Sequence, residues 1–533
     1  MTPADSTVDV LVIGAGIGGL YAVHRFRQAG LSVVALEAAA DVGGVWYHNS
    51  YPGARVDLES ETFCYLFDDE LYREWKWSER YAAQPEIHAY LRHVAERFDL
   101  RKDIRFNTRV TGLRWIDEEA AYLVSTEGGD EYRAHFVVAA SGQLSARRSP
   151  SFEGLADFRG DWYQTSNWPK QPVDLRGKRV GVIGTGSSGV QVITAIADEV
   201  GELVVFQRTP NYSVPAHNHP RSRVRQEYVG ERREILRDAV FGSPMGFLMP
   251  PDAGPATGWS PIEQEQLLEQ RWANGGQALL RTFSDQGVDW DSNAVVGDFV
   301  RERIRERLDG RDDLAALIPD RYPIGTRRLC VDTGYYEKYL RDNVQLVDLS
   351  STSIARFTPS GIELSDGRTI DLDVAVFALG FEAFTGTLFQ MDIVGRNGVR
   401  LEDAWAQGPE TMLGLMTHDF PNLFLPTGPG GPSVLANMFA ANVQGMDLVA
   451  DVIGQVRNRG KQVVWPEIEP QRTWTEHVQD VARGLIRYQV DNYFVHHNTD
   501  GSKVYLPYTG GFATYVDYCQ AELDAGLPSF AMA

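Results

Sequence analysis

The stretch Val8-Asp-Val-Leu-Val-Ile13-Gly14-Ala-Gly16-Ile-Gly-Gly19 decides the fold. Four of its first six residues are β-branched and only Asp9 is polar, as in a strand buried on both faces. A G-x-G-x-x-G spacing follows, and then Leu20, Val23 and Phe26 recur at helical spacing up to Gly30. Strand, tight turn and helix are predicted, with the helix N-terminus aimed at whatever lies over the turn. A second apolar run, Ser32 to Leu36, ends at Glu37, about 20 residues after the glycines. An acid at that place accepts hydrogen bonds from ribose hydroxyls. A glycine turn alone would be weak ground, but the strand, the helical period and the closing acid agree on a dinucleotide unit.

The design returns downstream. Arg179 to Ile183 reads as a strand, Gly184-Thr185-Gly186-Ser187-Ser188-Gly189 as the turn, Val190 to Val200 as the helix and Leu203 to Phe206 as the next strand. Gln207-Arg208-Thr209 stands where the first unit has its acid, and an arginine there suits a 2'-phosphate. The first unit is therefore expected to bind FAD through Gly14, Gly16, Gly19 and Glu37. The second is expected to bind NADPH through Gly184, Thr185, Gly186, Ser187, Ser188, Gly189, Arg208 and Thr209. Two dinucleotides in one chain imply electron transfer between them. Each unit has a later return strand ending in glycine, Phe136 to Gly142 and Val374 to Gly380, so each is interrupted and resumed. The predicted fold is α/β, with two Rossmann-like dinucleotide-binding domains and a helical insertion. The FAD domain is expected over residues 1–145 and 381–533, the NADP domain over 146–215 and 325–380, and the insertion over 216–324.

Composition narrows the partners. The 533 residues are 43% hydrophobic and 23% charged, which is globular, and the length suits several domains. A formal charge of -21 disfavours nucleic acid or an anionic membrane, so anionic cofactors must find local cations. Cys64, Cys330 and Cys519 are far apart and form no Cys-x-x-Cys, which argues against a disulfide framework or zinc cluster and fits a reducing cytoplasm. No apolar run reaches the roughly 18 residues needed to span a bilayer, so a soluble protein is expected. His217 with His219 and His496 with His497 lack further spaced ligands, and no metal is assigned. Glu59 and Glu61 read as surface residues, Trp75, Trp77 and Tyr81 as packing, and the Arg/Glu-rich runs of the insertion as solvated helix faces.

Between the two units lies Phe158-Arg-Gly-Asp-Trp-Tyr-Gln-Thr-Ser-Asn-Trp-Pro169, too aromatic for a solvated linker, with Gly160 read as allowing an unusual backbone angle. It resembles the Phe-x-Gly-x-x-x-His-x-x-x-Trp-Pro pattern of the Baeyer-Villiger monooxygenases, with Gln164 in place of the histidine. Further segments are similar to that family in the same order. These are Asp41-Val-Gly43-Gly44-Val-Trp46, Tyr51-Pro-Gly53-Ala-Arg55-Val-Asp57, Tyr322-Pro-Ile-Gly-Thr-Arg327-Arg328, and Thr427 to Ser433 with Met438. The resemblance implies that Gly44, Trp46, Asp57, Val110 and Met438 touch FAD and that Arg327 and Tyr493 touch NADP. Tyr493 stands where the family commonly has tryptophan. It also implies that Arg328 is the active-site arginine, with Asp57 orienting it.

The activity so implied is insertion of one atom of O2 beside a ketone carbonyl to give an ester or lactone. NADPH reduces FAD, and a flavin C4a-peroxide attacks the ketone. The competing expectations are a flavin monooxygenase that oxygenates sulfur, as in a sulfide substrate, or nitrogen, and an NADPH-binding sensor that does not oxygenate. Gln164 and Tyr493 keep both in view. The oligomeric state and the particular ketone are not legible in the residues.

Overall fold

A computed structural model describes residues 7–498 and 501–533. The first fingerprint forms strand β1 (Val8–Ile13), helix α1 (Ile17–Gln28) and strand β2 (Val33–Leu36). β1 lies at the centre of its sheet, parallel to β2 on one side and to a return strand, Glu131–Val138, on the other. The sheet then continues antiparallel through Ala121–Thr126 and Val110–Ile116. Ile104–Arg105 extends it beyond β2, and two late pieces, Asp392–Val394 and Leu423–Phe424, join in parallel. Residues 10–13 are almost wholly buried, as a central strand requires. On one face α1 packs beside the long helix Met438–Asn458, where a Cβ on Gly18 would run into the Asn442 side chain.

The second sheet is wholly parallel. Its strands are β3 (Asp161–Gln164), β4 (Arg179–Ile183), β5 (Glu202–Gln207), β6 (Val344–Asp348) and β7 (Val374–Phe377), in the order β6-β5-β4-β7-β3. Helix α2 (Ser187–Ile196) follows β4 as α1 follows β1. The motif stretch 158–169 is thus more than a connection, since its centre is the edge strand β3, paired with β7 from Val374↔Asp161 to Phe377↔Gln164. Phe158 and Trp168 are buried, whereas Trp162, on the outer side of this edge, is 45% exposed. Gly160 is needed for room and not for an unusual angle: its φ is not positive, and a Cβ there would lie 2.5 Å from the Asp373 carbonyl oxygen and overlap the Phe158 ring. Gln164 Nε2 donates to Arg148 O at 2.8 Å, tying the edge strand to the chain that enters this domain.

Between residues 216 and 324 lie the helices Arg223–Gly230, Arg233–Phe241, Pro261–Asn274 and Trp290–Arg307. Their arginines do more than line solvated faces. Arg221, its side chain only 4% exposed, reaches both Glu59 and Glu61 at 3.0 Å. Arg225 pairs with Glu61 at 2.6 Å, and Arg233 with Asp69. Glu59 and Glu61 are therefore docking residues and not surface ones, with Arg80 also on Glu59 at 2.8 Å. Among the described residues no helix is long and apolar enough to cross a membrane. The three cysteines are free and buried.

Both fingerprint turns leave no space for a larger residue at their last glycine. A Cβ on Gly189 would overlap the Gly184 carbonyl oxygen, a backbone atom that cannot rotate away. Gly189→Ala should therefore displace the second turn, with a lower melting temperature and loss of NADP+ binding by titration while the first unit keeps its yellow cofactor. Unchanged NADP+ binding would refute it.

Candidate active site

Each fingerprint helix begins without a side-chain cap and without an acid in its first turn, its N-cap being Gly16 or Gly186. Some other helices of the chain are capped by side chains, as where Asp289 accepts from Ser292 N and where Ser260 and Glu263 form a capping box, while others, such as Gln84–Arg97 and Ile468–Arg483, are not. Uncapped N-terminal N–H groups suit an anionic group, favoured further by the helix dipole. Gly14 (φ +101°) and Gly184 (φ +105°) pass so close to the return chains that a Cβ would lie 2.7 Å and 2.6 Å from Ala140 O and Ala378 O. At Gly186 nothing lies within 4 Å of that position, which leaves open space over the second turn.

On the first unit, Glu37 is buried and its two oxygens accept from Ala15 N at 2.6 Å and Ala39 N at 2.7 Å. Burial pushes its pKa up, against those two N–H groups and the charge of Arg109. Each oxygen keeps a second lone pair for a ribose hydroxyl. Trp46 packs edge-on against Phe63 with ring centroids 5.7 Å apart, on a short helix held by Gln84 Nε2 at the Trp46 carbonyl. Trp46 Nε1 and Asn49 Oδ1 are buried and have no partner among the described residues. One buried donor and one buried acceptor left open cost about 1–3 kcal/mol each unless a bound group meets them, which fits a flavin with polar edges of both kinds. Asn49 has no signal in the sequence, because asparagine in a loop is ordinarily a turn residue. Val110 is buried at the start of its strand, and Met438 is half-buried in the first turn of its helix, after the N-cap Asn437.

Positive charge gathers beside this unit. Burial, with Lys170, Arg147 and Arg109 nearby, pushes His48 down to about 4, so the other three carry the charge at neutral pH. These groups come from four separate segments, and none was legible as part of a site.

On the second unit, Thr185 Oγ1 donates to Thr209 O at 3.1 Å, closing the turn against the end of β5. Arg208 is exposed and makes no ion pair among the described residues. Arg327 lies with its guanidinium carbon 4.7 Å from the centroid of the Tyr322 ring, and Tyr322 OH donates to Asn211 Oδ1 at 2.8 Å, three residues beyond Arg208. The two unpaired arginines are thus brought to the same end of β5. Ser187 Oγ contacts Cys330 Sγ at 3.5 Å. Burial pushes the Cys330 thiol up to about 12, so it is no nucleophile at neutral pH.

The two units meet at Arg328. Its Nη2 donates to Asp57 Oδ1 at 2.8 Å and its Nε to Asp57 Oδ2, a two-pronged pair, while Nη1 donates to Val434 O at 2.7 Å. Burial opposes the charge, but the Asp57 carboxylate outweighs it and drives the arginine's pKa above its ordinary value. The loop before Asp57 is itself seated on α2. Tyr51 OH donates to Gln191 Oε1 at 2.8 Å, and Gln191 Nε2 donates to Arg55 O at 3.0 Å. Gly53 passes so near that a Cβ would sit 2.6 Å from Gln191 O. Tyr493, expected on a cofactor, places its phenol oxygen as acceptor of the Arg328 backbone N–H at 3.0 Å.

A model of the flavin-binding monooxygenase-like family matches residues 7–215. Over 99% of both chains, this one is 38% identical to an acetone monooxygenase (methyl acetate-forming) of Gordonia sp. (strain TY-5). The chain belongs to the Baeyer-Villiger monooxygenases. A solved structure titled as an oxidized steroid monooxygenase bound to NADP superposes on this Baeyer-Villiger chain with a TM-score of 0.95 and 44% identity, covering 99% of each. A phenazine N-monooxygenase of Lysobacter antibioticus is also 35% identical, with 98% of this chain and 97% of that one covered. Overall likeness therefore does not by itself say which atom is oxygenated, and that question rests on the site.

The depressed pKa of His48 has a sign that can be checked. Between about pH 6.5 and 4 the unfolded chain takes up a proton that the folded histidine refuses, so stability falls through that window. His48→Gln, neutral throughout, should lose less stability over the same range when urea midpoints are compared at equal flavin content. Parallel curves for the two proteins would place His48 outside the charged cluster.

Proposed function

We propose that this chain binds FAD on its first fingerprint and NADPH on its second, and uses O2 to convert a ketone to an ester or lactone. In this reading the FAD domain is residues 1–145 with 381–533, the NADP domain 146–215 with 325–380, and the insertion 216–324. The overall balance is ketone, O2, NADPH and a proton in, with ester, NADP+ and water out. The observation that carries the reading is the Asp57–Arg328 pair, an always-protonated guanidinium from the second unit held by a carboxylate of the first.

Bound FAD would supply the redox chemistry, accepting hydride from NADPH and activating O2. The chain's part is binding, placement and charge. Glu37 would take the ribose hydroxyls, and Gly14, Gly16 and Gly19 would let the pyrophosphate approach the start of α1. Trp46 Nε1 and Asn49 Oδ1 supply the unmet donor and acceptor for the flavin's polar edge, beside Gly44, Val110 and Met438. Gly184 to Gly189 with Thr209 would hold the second pyrophosphate, and Arg208 with Arg327 the 2'-phosphate. Arg328 would stabilise the negative charge that develops on the substrate's carbonyl oxygen as oxygen is inserted, a task suited to a preorganised cation. Asp57 and the Val434 carbonyl hold the guanidinium so that no reorientation is needed during the reaction.

Oxygenation of a nitrogen or sulfur centre is the second reading, supported by the likeness to a phenazine N-monooxygenase. Attack on a ketone needs a nucleophilic oxygen, which a fixed cation protects, whereas a sulfide or a ring nitrogen needs an electrophilic one. A panel of ketones, sulfides and nitrogen heterocycles with product identification separates the two.

Arg328→Ala is expected to lower ester yield per NADPH about 10²- to 10³-fold, the usual loss for one preorganised electrostatic group. NADPH oxidation should continue with release of hydrogen peroxide, and FAD occupancy should be unchanged. An unaltered ester yield at an unaltered rate would remove Arg328 from the active site. Coenzyme choice tests the second unit: NADPH should be favoured over NADH in kcat/KM by about ten- to a hundredfold per charge-assisted contact to the 2'-phosphate. Arg208→Ala should lower that preference by about ten- to a hundredfold, leaving the share of Arg327, and equal kcat/KM for both coenzymes in the natural protein would contradict the assignment.

A further inference from the structure

We propose that Tyr493 is a positioning residue for Arg328, acting through the arginine's backbone and not through its side chain. The inference rests on the reading of Arg328 given above. Arg328 lies in an irregular stretch between Pro323 and the strand that begins at Cys330, where no ladder fixes the backbone. Its side-chain tip is held by Asp57 and Val434, but a long side chain pinned only at its tip can still shift at its base. The backbone N–H of Arg328 donates to the Tyr493 phenol oxygen at 3.0 Å, across 165 residues of chain. That bond fixes the base.

The tyrosine is presented by a built turn. Asn492 Nδ2 donates to Arg487 O at 2.6 Å and Val490 O at 2.9 Å, and Asn492 Oδ1 accepts from Phe494 N at 2.9 Å. Phe494 is buried, and its ring centroid is 4.3 Å from that of Tyr493. Tyr493 itself is 43% exposed, so burial does not explain its place, whereas the bond to Arg328 does. The chemistry is specific to the phenol. Tyrosine oxygen accepts a hydrogen bond, whereas an indole offers only a donor and phenylalanine offers neither. A tryptophan at 493 could not hold the Arg328 N–H.

The test uses the intact flavoprotein with NADP+ bound and two variants, Tyr493→Phe and Tyr493→Trp. Amide hydrogen exchange at Arg328, resolved by fragment mass spectrometry, should be about five- to tenfold faster in both variants, as expected for loss of one ordinary hydrogen bond. Ester yield per NADPH should fall severalfold in both when the proteins are compared at equal NADP+ occupancy. Adding Tyr493→Phe to Arg328→Ala should cost nothing further, because the guanidinium that it positions is already gone. Unchanged exchange at Arg328 in Tyr493→Phe overturns the proposal. So does faster exchange with an undiminished ester yield, and so does full protection in Tyr493→Trp. If the natural protein forms no ester from any ketone, the functional reading falls instead, and the exchange comparison still decides whether Tyr493 holds Arg328.

Discussion

The arrangement depends on one ion pair, in which Arg328 donates twice to Asp57 across 271 residues of chain. Two opposite charges this close attract by about 4 kcal/mol at the effective dielectric of a protein surface, but much of that is cancelled by taking both groups partly out of water. The side chains keep 32% and 22% of their exposure, so the pair is not a large net source of stability. What it supplies is position: a guanidinium whose direction is set by a carboxylate from one nucleotide unit while its backbone belongs to the segment that closes the other. The Gln191 bonds that seat the Asp57 loop on α2 serve the same end, because a carboxylate that could drift would carry the arginine with it.

The helical insertion is held by a second set of charges. Arg221 bridges Glu59 and Glu61, Arg225 takes the other oxygen of Glu61, and Arg80 covers Glu59. Although burial raises its pKa, Glu59 is held below the usual carboxylate range by Arg80 and Arg221. Removing one partner from such a network leaves a half-buried charge without compensation, which is costlier than the pair is stabilising. The insertion is thus fastened to the loop that follows Asp57. Against a formal charge of -21, arginines such as Arg221, Arg225 and Arg233 are placed where they bridge segments far apart in sequence.

The local elements were legible because their signals are local. β1 and α1 follow from an unbroken apolar run, three glycines and a helical period, all within one short stretch. The contrast of Glu37 with Arg208 distinguishes the two units by a single charge at the same place in each. Other features had no such signal. Strand β3 was hidden because an edge strand needs no alternating pattern of its own when its partner β7 supplies the ladder. Gly160 reads as a turn glycine until Asp373 O is seen where its Cβ would be. Glu59 and Glu61 look solvated because Arg221 and Arg225, the arginines that tie them to the insertion, lie about 160 residues away in sequence.

By itself, the sequence determined the class of fold, the two nucleotide units and their order, and the residues that resemble an arginine and carboxylate site, since each rests on residue types at short spacing. Only the tertiary structure decided what those residues touch. It set Asp57 and Arg328 in a two-pronged pair, left Trp46 Nε1 and Asn49 Oδ1 buried without partners, and gathered Arg109, Arg147 and Lys170 around His48. It also set the Tyr493 phenol oxygen as acceptor of the Arg328 backbone N–H, a contact that the resemblance did not imply. The physical reason is the same for each pairing. A hydrogen bond or ion pair needs two groups within about 3 Å, and when they stand more than a hundred residues apart only the folded chain brings them that close.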